Sequence, residues 1–144
     1  MKRGLRSHRK TARNNAIIFG IAAAVYGSVI FYFSSQSGIP DLVSPIFSIS
    51  DKLVHFLEFA LFGSLLFLAF SSAGWRPWDA TLAIILGCIY GVTDEIHQLL
   101  VPGRFGDATD ALVNGAGVVV AVAILALIDH RIHPSPRSPD LEKA

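Results

Sequence analysis

Cysteine is all but missing from this chain: Cys88 is the only one among 144 residues. An intramolecular disulfide and a cysteine-based metal cluster are therefore both excluded, and Cys88, inside an apolar run, reads as small apolar packing. Charge is scarce as well. Charged residues make up 16% of the chain, whereas ordinary soluble domains carry roughly 25%. Acids are absent from the first thirteen positions, which hold Lys2, Arg3, Arg6, Arg9, Lys10 and Arg13. No small-x-small cleavage site closes the first apolar run, which ends Phe31-Tyr32-Phe33-Ser34-Ser35. That run reads as an uncleaved helix rather than a signal peptide. The chain has no internal repeat or heptad pattern, no persuasive Ser-His-Asp order or glycine-rich phosphate loop, and no His-Glu-x-x-His spacing. The usual signatures of nucleophilic, nucleotide-binding and zinc-peptidase sites are therefore lacking.

What the chain does have is apolar surface: 52% hydrophobic residues and a mean hydropathy of +0.52. Four stretches approach the roughly 20 apolar residues that cross a bilayer. They run over residues 16–33, 53–70, 78–97 and 108–128. The expected fold is all-α, a polytopic bundle of four transmembrane helices. The length suits one domain, here residues 16–128, preceded by a basic arm over 1–15 and followed by a tail over 129–144. The tail is rich in proline, serine and charge, a composition that favours disorder.

The basic arm would suit nucleic acid, but an apolar span follows it at once, so it reads as a topology signal and no nucleic-acid partner is expected. With four spans and a cytoplasmic N-terminus, ten of the twelve Lys and Arg fall inside, and only Lys52 and Arg104 fall outside. The positive-inside rule thus predicts that both termini are cytoplasmic. Phe31, Tyr32, Trp75 and Trp78 then read as interface anchors.

That orientation gathers the polar residues. Gln36, Asp51, Lys52, His55, Glu58, Asp94, Glu95, His97, Gln98, Arg104, Asp107, Asp110 and Asn114 all fall at the outer ends of spans or in the outer loops. Asp51, His55 and Glu58 follow i, i+4, i+7 and share a helical face, as do Tyr90, Asp94 and His97. Asp107, Asp110, Asn114 and Gly117 share another. The short segment 99–106 makes the third and fourth spans antiparallel neighbours. Gly115 and Gly117 leave room for close helix approach, and Gly87 and Gly91 read as packing positions.

The string Asp94-Glu95-Ile96-His97-Gln98, then Pro102-Gly103-Arg104, Asp110 and Asn114, resembles the VanZ-like family of bacterial membrane proteins. Ser34-Ser35-Gln36, and Asp51-Lys52 with His55 and Glu58, extend the likeness, which covers about residues 16–128. Leu100 departs from it, at a place where many members carry an aromatic residue. The resemblance implies a multi-pass protein of the bacterial plasma membrane with a link to the cell envelope, since the family's namesake is associated with teicoplanin resistance. It supplies no reaction.

Ionisable groups inside spans are costly and are functional candidates by default. Glu58, Asp94, His97 and His55 are the acid–base candidates, because paired carboxylate and imidazole groups suit proton transfer. Gln36, Lys52, Glu95, Gln98, Arg104, Asp110 and Asn114 are the ligand-binding candidates. Arg104, beside Gly103, could clamp a phosphate or carboxylate bidentately, with Lys52 as a second charge. A metal site from His55, His97 and the carboxylates has suitable ligand types without a recognised spacing, and no cofactor is implied. The bland alternative is an interhelical hydrogen-bond network, which Asn114 and Gln98 fit best, with Asp51 and Asp107 as helix caps. The expected function is an outward polar pocket that recognises or modifies an anionic envelope component, a lipid head group or lipid-linked precursor. These residues serve binding alone or catalysis equally well. The rivals are a proton- or ion-coupled transporter and a non-catalytic assembly protein. Transport is disfavoured by the apolar inner halves of the spans, although a homo-oligomer could supply a path.

Overall fold

The computed structural model describes residues 2–37, 45–74, 78–104 and 106–132, with side chains described for residues 9–37 and from 51 onward within those ranges. Four helices follow in order: α1 (Lys2–Ser34), α2 (Pro45–Ala73), α3 (Asp79–Leu99) and α4 (Ala108–Ile132), with no strand among the described residues. Each contains a span long and apolar enough to cross a membrane: Arg9–Ser34, Asp51–Ala73, Asp79–Leu99 and Ala108–Ile132. The shortest has 21 residues, about 32 Å of helix, which matches a hydrocarbon core of about 30 Å.

Two helix starts differ from the hydropathy reading. Backbone helix continues out of the first apolar run through the basic arm to Lys2, and α2 begins at Pro45, eight residues before Leu53. Proline suits a helix start because its missing N–H is one the first turn cannot use. Asp51 is therefore not a cap: it lies inside α2, exposed, in the second turn. At the other end α4 runs past Asp129 to Ile132, and the rest of the tail, residues 133–144, lies outside the described residues, as does Trp75.

The packing is inside-out relative to a soluble domain. Large apolar side chains such as Ile17, Ile21, Leu57, Ile89, Leu112 and Leu127 are exposed, which is the expected outer surface of a bundle in lipid. The small core holds Ala23 and Ile30 from α1, Phe59, Phe62 and Phe67 from α2, Ala83 from α3, and Val118 and Val122 from α4. Helix α2 is central and touches the other three, most extensively α4, whereas α1 and α4 do not meet. Gly117 sets the α2–α4 distance. A Cβ there would collide with the Phe56 carbonyl oxygen and lie 3.1 Å from the Ala60 nitrogen. Gly115, by contrast, faces only Cys88 Sγ at 3.7 Å from such a Cβ, an ordinary contact.

This topology brings the C-terminal ends of α1 and α3 beside the N-terminal parts of α2 and α4. One end of the bundle thus receives the polar cluster expected from the sequence, whereas Arg9, Arg13, Asp79, Asp129 and Arg131 lie toward the other end.

Candidate functional site

Three connected groups of side chains fill that end. The first joins α1 to α3. The Ser34 hydroxyl donates to Asp94 Oδ1 at 2.6 Å, and Gln98 Nε2 donates to Asp94 Oδ2 and to Ser34 Oγ, both at 3.0 Å. Arg104 Nη2 then donates to Gln98 Oε1 at 3.1 Å, so the loop after α3 is fastened to the same group. Beside it, the His97 ring stacks on Phe31 with centroids 4.2 Å apart, and its Nε2 lies 2.9 Å from Ser35 Oγ. The single Ser35 proton goes to the Phe31 carbonyl at 2.7 Å, so His97 Nε2 is the donor in that contact and Nδ1 carries the free lone pair of a neutral ring.

The second group joins α2, α3 and α4 around Asn114, which is completely buried. Asn114 Nδ2 donates to Glu95 Oε1 at 3.2 Å, and Asn114 Oδ1 lies 3.1 Å from His55 Nδ1. An ionised carboxylate only accepts, so the amide nitrogen faces Glu95, the amide oxygen faces His55, and Nδ1 carries a proton. Glu95 Oε2 accepts the backbone N–H of Asp107 at 3.2 Å. Asp94 and Glu95 are sequence neighbours about 100° apart around the helix. That rotation turns Asp94 toward α1 and Glu95 toward α4, which is why both are buried.

The third group is the rim. Lys52 Nζ donates to Asp110 Oδ1 at 2.6 Å and lies 3.7 Å from Asp107 Oδ2. Asp107 caps α4, its Oδ1 accepting the Thr109 N–H at 2.8 Å. That N–H and the Thr109 hydroxyl, with Lys52 behind them, hold the Asp107 carboxyl below its usual range. Gly103 turns the chain before the rim with φ of +80°, and nothing lies within 4 Å of where its Cβ would be. Its role is thus a backbone conformation that other residues rarely adopt.

Of the residues expected at the site, Gln36 alone stays apart: it is exposed and its amide donates to the Tyr32 carbonyl of its own helix at 3.2 Å. Lys52, His55, Asp94, Glu95, His97, Gln98, Arg104, Asp110 and Asn114 are joined by the contacts above. Glu58 sits half-buried one turn below His55, within electrostatic reach of His55 and Asp94, and its carboxylate accepts no hydrogen bond among the described residues. The sequence placed Ser34 and Ser35 in the family likeness and Tyr90 on the face of Asp94 and His97, without naming a partner for any of them. The Tyr90 hydroxyl donates to the Gly27 carbonyl at 2.6 Å and ties α3 to α1 below the cluster.

Ligand-capable atoms of His55, Asp94 and Glu95 lie within 4.8 Å of one another, as do those of Asp51, His55 and Asp110. Two grooves lie away from the carboxylates. One of about 310 Å³ is lined by Ala24, Gly27, Ser28, Phe31, Phe62 and Tyr90, and another of about 430 Å³ includes Arg9 and Arg13 at the opposite end. The cluster itself is a bonded network.

Residues 6–129 match the VanZ/LLP1 family model. The chain belongs to the VanZ/LLP1 family. No curated protein and no solved structure matches it. Together with the four apolar helices, family membership makes the chain a VanZ-like multi-pass membrane protein, and the family match takes in all of the polar cluster.

Proposed function

We propose that this VanZ-like protein recognises or modifies an anionic component of the bacterial cell envelope, a lipid head group or lipid-linked precursor, at the polar end of its bundle. In this reading that end faces outward from the plasma membrane and both termini are cytoplasmic, as the basic arm favours. A contribution to teicoplanin resistance belongs to the same proposal and comes from the family's namesake.

The observation that carries it is Glu58. Polar groups within lipid must find partners, and the network gives Asp94 and Glu95 neutral donors on both carboxylate oxygens, drawn from three helices and the loop before α4. Glu58 stands beside that network and accepts no hydrogen bond among the described residues, so its carboxylate is open to a hydroxyl or ammonium donor of the head group. Arg104 directs one N–H to Gln98 and has other guanidinium donors for a phosphate or carboxylate. Where a reaction follows binding, Glu58, with His55, Asp94 and His97 at hand, is the acid or base.

The bonded network also favours a second reading, a non-catalytic assembly protein whose polar cluster only holds the helices together. Native mass spectrometry of the gently extracted protein separates the two. The proposed function expects an anionic lipid to travel with the wild type and to be lost in Glu58→Ala, which removes the acceptor for its donor groups, or in Arg104→Gln, with melting temperature little changed. A lipid-free wild type, or lipid retained in both variants, refutes it.

A further inference from the structure

The buried half of the cluster has a charge deficit. Asp94, Glu95 and Glu58 surround His55, yet both basic side chains of this end point elsewhere: Lys52 to Asp110 and Asp107, Arg104 to Gln98. Among the described residues no Lys or Arg contacts any of these three carboxylates. Buried charges in proteins are paired or coordinate metal ions, and among the described residues the one side chain beside them able to carry positive charge is the His55 imidazole, whose Nδ1 lies 3.8 Å from Glu95 Oε1.

We infer that His55, Asp94 and Glu95 bind one divalent metal ion of borderline hardness, manganese(II) or zinc(II). The inference does not depend on which envelope component the protein recognises. Three observations support it. The donor set, one imidazole and two carboxylates, suits those ions and not soft copper(I). The three side chains come from two helices, α2 and α3, and their ligand-capable atoms lie within 4.8 Å of one another. Donors bound to one ion at about 2.0–2.2 Å are at most about 4.4 Å apart, and the observed spacing is comparable to that bound.

Most telling is how the three donors are held. Ligating side chains are characteristically oriented by hydrogen bonds from groups behind them, a histidine above all through its other N–H. Here His55 Nδ1–H is committed to the Asn114 carbonyl oxygen, which leaves the lone pair of the ring on Nε2. Asn114 also steadies Glu95, with the Asp107 N–H on the second oxygen. Ser34 and Gln98 steady Asp94. Each carboxylate oxygen accepts one neutral donor and so keeps a further lone pair for a cation. His55, Asp94 and Glu95 are 9%, 4% and 5% exposed, so the site is shielded from bulk water. A cation there also adds positive charge to an end where the acids outnumber Lys52 and Arg104.

The test uses the full chain, purified in detergent and stripped with chelator, then titrated with manganese(II) and followed by electron paramagnetic resonance. The expected result is saturable binding of one ion per chain, competed by zinc(II), with nitrogen coupling in the pulsed spectrum. His55→Gln should abolish the nitrogen coupling, and Glu95→Gln should weaken binding at least about tenfold. Thr93→Ala, on the exposed side of α3, should change nothing. A chain with glutamine replacing His8, His97, His130 and His133 leaves His55 as the only histidine and should keep the nitrogen signal. That variant decides the matter even where His55→Gln fails to fold. No saturable binding by the wild type, or loss of the nitrogen signal from the His55-only chain, overturns the inference.

Discussion

Replacing Asn114 by alanine should cost the bundle about 2 kcal/mol. The side chain is fully buried and makes two interhelical hydrogen bonds, 3.1 Å to His55 on α2 and 3.2 Å to Glu95 on α3. Interhelical hydrogen bonds in membranes average about 0.6 kcal/mol and reach about 1.7, so two of them are worth roughly 1–3 kcal/mol. Truncation also orphans the His55 Nδ1–H in a buried place, where an unmet donor costs about 1–3 kcal/mol. These overlap, because the orphaned donor is one side of a lost bond, and about 2 kcal/mol is the balance. Reversible unfolding in mixed micelles measures it, and a double-mutant cycle with Glu95→Gln isolates the pair. The cycle should return a coupling of at least about 0.5 kcal/mol, as groups in one network do. A folded Asn114→Ala protein that loses less than about 0.5 kcal/mol, with no coupling to Glu95, would show that the three-helix bridge does not exist.

Two further outcomes follow from the helix contacts and the rim. Gly117→Ala should destabilise by about 1–3 kcal/mol, the usual range for overpacking, because its Cβ meets the Phe56 carbonyl. Gly115→Ala should be near neutral in the same unfolding assay. Asp107 carries a pH signature: its folded carboxyl titrates below the ordinary value of 3.8. Its contribution is therefore complete above that pH and disappears as pH falls through the lower folded value. Asp107→Asn keeps a competent cap, so the melting-temperature gap between wild type and Asp107→Asn should be constant near neutrality and shrink below pH 3.8.

Hydropathy and charge patterning made the four spans legible, because lipid demands long apolar runs and the pattern needs no tertiary information. It located their ends poorly. The apolar signal stops where the membrane stops, whereas helical hydrogen bonding continues, as α1 does through the basic arm to Lys2 and α2 does back to Pro45. That extension is why Asp51 is an exposed residue inside α2 instead of its cap. Periodicity placed Asp51, His55 and Glu58 on one face, but not which turn meets a neighbour: Asp51 is exposed, His55 is buried and Glu58 lies between. Ser34 and Ser35 gave little signal, since hydroxyls at a span end are common. Their value comes from facing Asp94 and His97 across a helix pair, about sixty residues away in sequence. Gln36 was drawn in by proximity to them and turns back on its own helix instead.

The account's central claim is that the polar end of the bundle faces the envelope, and labelling with a membrane-impermeant thiol reagent tests it most directly. In a Cys88→Ala background, Leu100→Cys marks the polar end, where the residue is 78% exposed, and Ile132→Cys marks the opposite end at 66% exposure. Intact cells should label Leu100→Cys and spare Ile132→Cys until the membrane is permeabilised. Labelling of Ile132→Cys in intact cells, with Leu100→Cys protected, would put the cluster on the cytoplasmic side and contradict the account.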